Sequence, residues 1–226
     1  MMRRLPLFPL GSVLFPGLVL PLNVFEPRYR LLVQDLVAAG EAEDGTPQGF
    51  GVVAIKAGHE VGTGNAQALH EVGCLALLRE VTELDDGRYE VVTVGATRFR
   101  LLGIDEEAGT PYLTGLVEPF GQDEEELEED ADVAALAQGV ATRFDQYREA
   151  LDIGGSAVPE DPSVLSYLVA AAMVLQVPQR QELLEEPDTA SRLRAELALL
   201  RRELGLVRAL GAVPATELPG PPSNPN

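Results

Sequence analysis

An α+β fold is expected, with a β-rich amino-terminal half followed by an α-helical bundle. Three observations point to it. Short apolar segments separated by glycine, proline and Asp-Gly signals fill the chain up to Phe120. A dense acidic run, Gly121 to Asp132, then interrupts the pattern. Beyond it, apolar residues recur at three-and-four spacing, the period of a buried helical face. The expected division is a β-rich unit over 1–120, a helical unit over 121–211 and a disordered, proline-rich tail over 212–226.

The first element decides the compartment. RRLPLFPLGSVLFPGLVLPLNVF begins as a secretory signal does, with arginines before an apolar run. Pro6, Pro9, Pro16 and Pro21 interrupt it, however, and each would remove a helical hydrogen bond. No small-residue cleavage site follows. Extended structure accommodates all of these residues. Leu5 to Leu10 reads as a strand, and Phe15-Pro16-Gly17 as a turn in which proline presets φ and glycine accepts a positive one. Leu18 to Phe25 is a second strand whose proline marks an edge or a bulge. Glu26-Pro27 opens a helix that runs through Tyr29, Leu32, Val33 and Leu36 and stops at Gly40.

Gly40 to Gly49 is polar and reads as a loop. Gly49 to Lys56 is a buried strand, and Ala57 to Leu69 is a second loop. Glu71 to Leu84 is mostly strand, with Cys74 inside it. Asp86-Gly87 signals a hairpin with a primed turn, positive in φ at both central positions. RYEVVTVG and TRFRLLGI are strands on either side of Gly95-Ala96, and Tyr112 to Phe120 is another. Strands at this spacing suit a β-barrel or a strongly coiled sheet. In the second half, Val133 to Leu151 is an amphipathic helix. Asp161-Pro162 caps a helix from Ser163 to Val177, which is apolar nearly all round and suits a bundle centre. Pro178 ends it, a short helix follows, and Asp188 caps a long last helix with Leu193, Leu197, Leu200 and Leu204 on one face.

PLFPL, the F-P-G turn and the join PLNVFEPRYRLL closely resemble the start of the Lon amino-terminal, or substrate-binding, domain. QELLEEPDTASRLRAELALLRRE resembles its closing helices. The resemblance implies a PUA-like β pseudobarrel with a small helix, then a helical bundle. It also implies a role in recognising unfolded or damaged polypeptides, as a stand-alone adaptor in protein quality control. A Lon-type protease is the further partner it suggests.

Composition bounds the chemistry. Net charge is −19 with a single lysine, so a generic nucleic-acid surface is not expected, nor is adhesion to anionic membranes. One cysteine suits a reducing cytoplasm. The G-x-x-x-x-G-K-[ST] phosphate loop of Lon ATPases is missing, because Lys56 follows Ala-Ile. Nothing in the 226 residues resembles the Ser/Lys protease domain, so no catalytic residue, metal or cofactor is expected. His59, His70 and Cys74 fall short of a zinc set, and the histidines read as loop residues. The binding candidates are the apolar Phe15, Pro16 and Phe25, with Glu26, Arg28 and Arg30 as a polar rim. Both phenylalanines are of a type that sits more often in a core than at a contact surface. A small-molecule or nucleic-acid module built on the same PUA-like fold is the alternative reading.

Overall fold

A computed structural model describes residues 2–40, 48–58, 66–121, 131–155 and 157–210. The expected features at His59, in the acidic run at 122–130, over most of the loop at 40–49 and in the tail at 212–226 lie outside the described residues. The elements run β1 (Arg3–Leu10), β2 (Val19–Val24), α1 (Pro27–Ala39), β3 (Gly49–Gly58), β4 (Ala66–Leu69), β5 (Val72–Glu83), β6 (Tyr89–Ile104), β7 (Thr114–Pro119), α2 (Ala131–Ala150), α3 (Pro162–Ala172), α4 (Val177–Glu185) and α5 (Thr189–Leu210).

β1, β7, β6, β5 and β3 pair in a ring. Every pairing in the ring is antiparallel except β1 with β3, which is parallel and closes it. β6 is long enough to serve two neighbourhoods. Its first half, Tyr89 to Val94, carries β2, and its second half, Phe99 to Ile104, carries β7. α1 lies over the first of these. Tyr29, Leu32, Val33 and Leu36 of the helix join Phe8, Leu10, Val24, Phe50, Tyr89 and Val91 in one core. Two polar contacts pin it there: Tyr112 Oη donates to Asp35 Oδ2 at 2.7 Å, and Gln34 Nε2 donates to Tyr89 Oη at 3.1 Å.

Several details depart from the sequence reading. Ala66–Leu69 is a strand within the expected loop and pairs with β3. The segments flanking Gly95-Ala96 form one continuous strand. Gly95 serves a close approach there, since a Cβ would run into the Phe15 carbonyl and crowd Cys74 Sγ. At the β5–β6 hairpin only Gly87 has positive φ, +77°. The Gly87 N–H donates to the Leu84 carbonyl at 2.8 Å, so the turn is an ordinary type I reversal followed by a left-handed glycine, and a primed turn is ruled out. The apolar helix ends at Ala172, short of Val177. Met173 turns extended, and the freed Val174 N–H donates to Tyr147 Oη at 3.1 Å. Pro178 sits in the first turn of α4, so it starts a helix rather than ending one.

α2, α3 and α5 form the bundle around Val140, Phe144, Leu165, Val169, Leu193 and Leu200. Asp161 caps α3 by accepting from Val164 N at 2.7 Å. A polar chain crosses this bundle. Arg192 Nε donates to Ser166 Oγ at 2.7 Å, Ser166 Oγ donates to Glu196 Oε1 at 2.9 Å, and the Arg192 guanidinium stands 3.8 Å over the Tyr167 ring. Burial pushes the Glu196 carboxyl up to about 8, against the opposing pull of Ser166 and Arg192.

Barrel and bundle share a small core of Phe15, Val72, Tyr167, Ala170, Leu183 and Leu184. Arg98 of β6 crosses it, with 6 % of its surface exposed. Its Nη1 donates to the carbonyls of Leu184, at 2.9 Å, and of Glu186, while Nη2 donates to that of Pro187 at 3.3 Å. These carbonyls close the carboxyl end of α4, where a helix dipole favours a cation. Gln181 Nε2 adds a bond of 2.9 Å to the Val72 carbonyl.

Candidate functional site

The residues singled out from sequence separate into three places. Phe15 is 1 % exposed and packs 6.2 Å from the Tyr167 ring in the core between barrel and bundle. It is therefore a structural residue, and its expected contact role is withdrawn. The helical half closes over a turn that would otherwise be open to solvent. Pro16 is half-buried in that turn, with Gly17 at φ +78° and Leu18 N donating to the Phe15 carbonyl at 3.3 Å. Arg30 of α1 lies over Gly87 of the hairpin, where an added Cβ would collide with its guanidinium.

Phe25, Glu26 and Arg28 do come together. Chain direction places them at the junction where β2 ends and Pro27 opens α1. Phe25 is 44 % exposed, unusual for so large an apolar side chain. Glu26 Oε2 pairs with Arg28 Nη2 at 3.1 Å, and both side chains are mostly buried. The Arg28 guanidinium lies 4.5 Å over the Tyr29 ring, which in turn stacks on Phe8 at 4.0 Å.

Beside Phe25 a cavity of about 130 Å³ opens, walled by Phe8, Leu10, Leu22, Val24 and Tyr29, with Glu26 at its rim. An apolar cavity of about 150 Å³ is large enough for a benzene-sized group. This one therefore suits a single apolar side chain. The sequence reading found the rim at Phe25, Glu26 and Arg28. It missed the walls, which come from β1, from β2 and from the buried side of α1 and are assembled only by the fold.

The cavity adjoins an open strand edge. β2 pairs with β6 along one side, Val19 opposite Val94 through Val24 opposite Tyr89. Its other side has no strand partner among the described residues. Val19 is 63 % exposed at the start of this edge. The arrangement has the properties of a recognition surface: an exposed aromatic, an apolar cavity, a paired polar rim and a strand edge with no further strand partner among the described residues.

Nucleophilic chemistry has no support at Cys74. The thiol is buried in β5, and burial pushes it up to about 12. Among the described residues, no helix is long and apolar enough to cross a membrane.

Ring and bundle together define an α+β domain, a closed set of strands packed against a helical bundle. The family model of the ATP-dependent protease La (LON) substrate-binding domain matches residues 4–202, and the chain belongs to that family. A Lon protease of Anaeromyxobacter dehalogenans (strain 2CP-C) is 28 % identical over 211 residues, covering 90 % of this chain and 24 % of its own. The chain thus spans about a quarter of the length of the curated relatives it matches. The crystal structure of a Lon N-terminal domain protein from Xanthomonas campestris superposes with a TM-score of 0.62 at 26 % identity, covering 87 % of this chain and 98 % of that one. The N-terminal domain of Mycobacterium avium complex Lon protease has the same fold, with a TM-score of 0.60 at 19 % identity over 88 % and 98 % of the two chains.

Proposed function

We propose that this domain is a non-catalytic receptor for apolar polypeptide segments, as exposed by unfolded or damaged proteins, and that it binds them at the β2–α1 junction. The observation that carries this reading is the half-exposed Phe25 at the mouth of the Phe8–Leu10–Leu22–Tyr29 cavity. Membership of a substrate-binding domain family supports a substrate-binding role, and the apolar cavity supports an apolar ligand. In this reading the domain is an adaptor in cytoplasmic protein quality control, and a Lon-type protease is the acceptor of what it holds.

Fluorescence anisotropy with a reduced, carboxymethylated and therefore permanently unfolded protein tests the proposal. Binding at tens of micromolar or tighter is expected, with Phe25→Ser weakening it about tenfold, in the range of an interface anchor. Equal affinity of the two proteins would move the site elsewhere. Absence of binding by folded wild type would remove the reading.

A further inference from the structure

We infer that the open edge of β2 takes up the bound segment as an added strand, so that main-chain pairing supplies much of the recognition; this rests on the polypeptide-binding reading above. The direction of the free groups follows from the ladder. The Gly95 N–H donates to the Leu18 carbonyl at 2.9 Å, and Thr93 Oγ1 donates to the Leu20 carbonyl at 3.0 Å. Antiparallel pairing alternates, so Leu20, Leu22 and Val24 direct their main chain towards β6. Val19, Pro21 and Asn23 then direct theirs outwards. Val19 and Asn23 each present an N–H and a carbonyl, while Pro21 presents a carbonyl only. Proline on this side costs the β2–β6 ladder nothing, which explains how a strand with proline at its centre pairs along its whole length.

Protein edges are commonly guarded by charge, proline or a bulge. VLPLNV carries no charged residue, and Pro21 is the guard it has. The edge is therefore receptive but not fully so, as a reversible binding site requires. Residues directly opposite each other in a sheet share a face. A ligand residue opposite Leu22 thus falls on the side where Leu22 lines the cavity, and its apolar side chain reaches the mouth beside Phe25. Ligand residues on the other face lie on the side of Glu90, which is exposed opposite Asn23. Exposed Glu80, opposite Val92, adds a second carboxylate to that face, which therefore favours lysine or arginine. The occupant is an extended segment alternating apolar and basic residues.

The test uses a fluorescein-labelled peptide of about nine residues alternating leucine and lysine. Two derivatives are N-methylated, one on the odd amides and one on the even. An added strand uses only alternate amides, so one derivative should bind about tenfold more weakly than the other. Asn23→Pro, which removes an outward N–H, should weaken binding of the unmethylated peptide by a similar factor with an unchanged melting temperature. Pro21→Val, which restores one, should tighten it. If both derivatives bind as the parent peptide does while Phe25→Ser still weakens it, polypeptide binding stands and strand addition is wrong. If folded wild type binds neither this peptide nor the unfolded protein, the reading beneath the inference fails as well.

Discussion

Replacing Arg98 by methionine should loosen the helical half from the barrel. The guanidinium donates to the carbonyls of Leu184, Glu186 and Pro187 and stacks 5.1 Å from the Phe120 ring. A hydrogen bond from a charged group contributes about 1.5–3 kcal/mol, and the ring contact about 0.5–1 kcal/mol. The Pro187 bond is long at 3.3 Å and adds little. Methionine keeps most of the packing but leaves carbonyls at the end of α4 without a donor in a buried place. The expected loss is about 4 kcal/mol, a large part of the 5–15 kcal/mol typical of a whole domain. Urea denaturation followed by far-ultraviolet circular dichroism and tyrosine fluorescence measures it, since Tyr167 lies at this contact. The two signals should separate into an early and a late transition, with a reduced slope for each. A loss below about 1 kcal/mol with coincident transitions would show that apolar contacts alone join the halves.

Three further outcomes are expected. Glu196 holds its proton more tightly when folded than at its ordinary value of 4.5, so stability should fall as pH rises from about 4.5 to about 8. Glu196→Gln should flatten that part of the profile in a series of urea melts, and an unchanged slope would contradict the assignment. Asp161→Ala removes the α3 cap and should cost about 1 kcal/mol, a drop of about 2–4 °C in melting temperature by calorimetry. Gly95→Ala drives a methyl against the Phe15 carbonyl and should destabilise by about 1–3 kcal/mol in urea, whereas a neutral result would mean that the turn gives way freely.

What could be read before the structure was known divides along a physical line. α1 announces itself locally, through Pro27 in its first turn and Gly40 at its end, and both sit where expected. Pro21 marks β2 as an edge or a bulged strand, and the pairing shows which: β2 has a strand partner on one side only among the described residues. β4 could not be seen in that way. AQAL has little strand character, and its pairing with β3 is what makes it a strand. The break between α3 and α4 is signalled by Pro178, but its position at Ala172 was hidden. An evenly apolar run has no period to interrupt, and the group that satisfies the break is Tyr147, far away in α2. At the candidate site, Phe25, Glu26 and Arg28 are near neighbours in the chain, so their grouping is local. Phe8 and Leu10 reach the same cavity only through the fold. Phe15, by its type more readily a core residue than a contact, is covered by the other half of the chain, where Tyr167 lies.

The ring of strands also constrains the order of events during synthesis. Arg3 pairs with Val117 and Pro6 with Thr114, so the first strand made finds one of its neighbours only after the last has been translated. Contacts this distant in sequence are slow to form. Until then one side of β1 stays unpaired on a nascent chain, with Leu5 and Leu7 still lacking the cover that Val117 provides. Halting translation just before β7 should leave a ribosome-bound chain that proteases cut readily within β1, while a chain extended past Pro119 and clear of the exit tunnel should resist them.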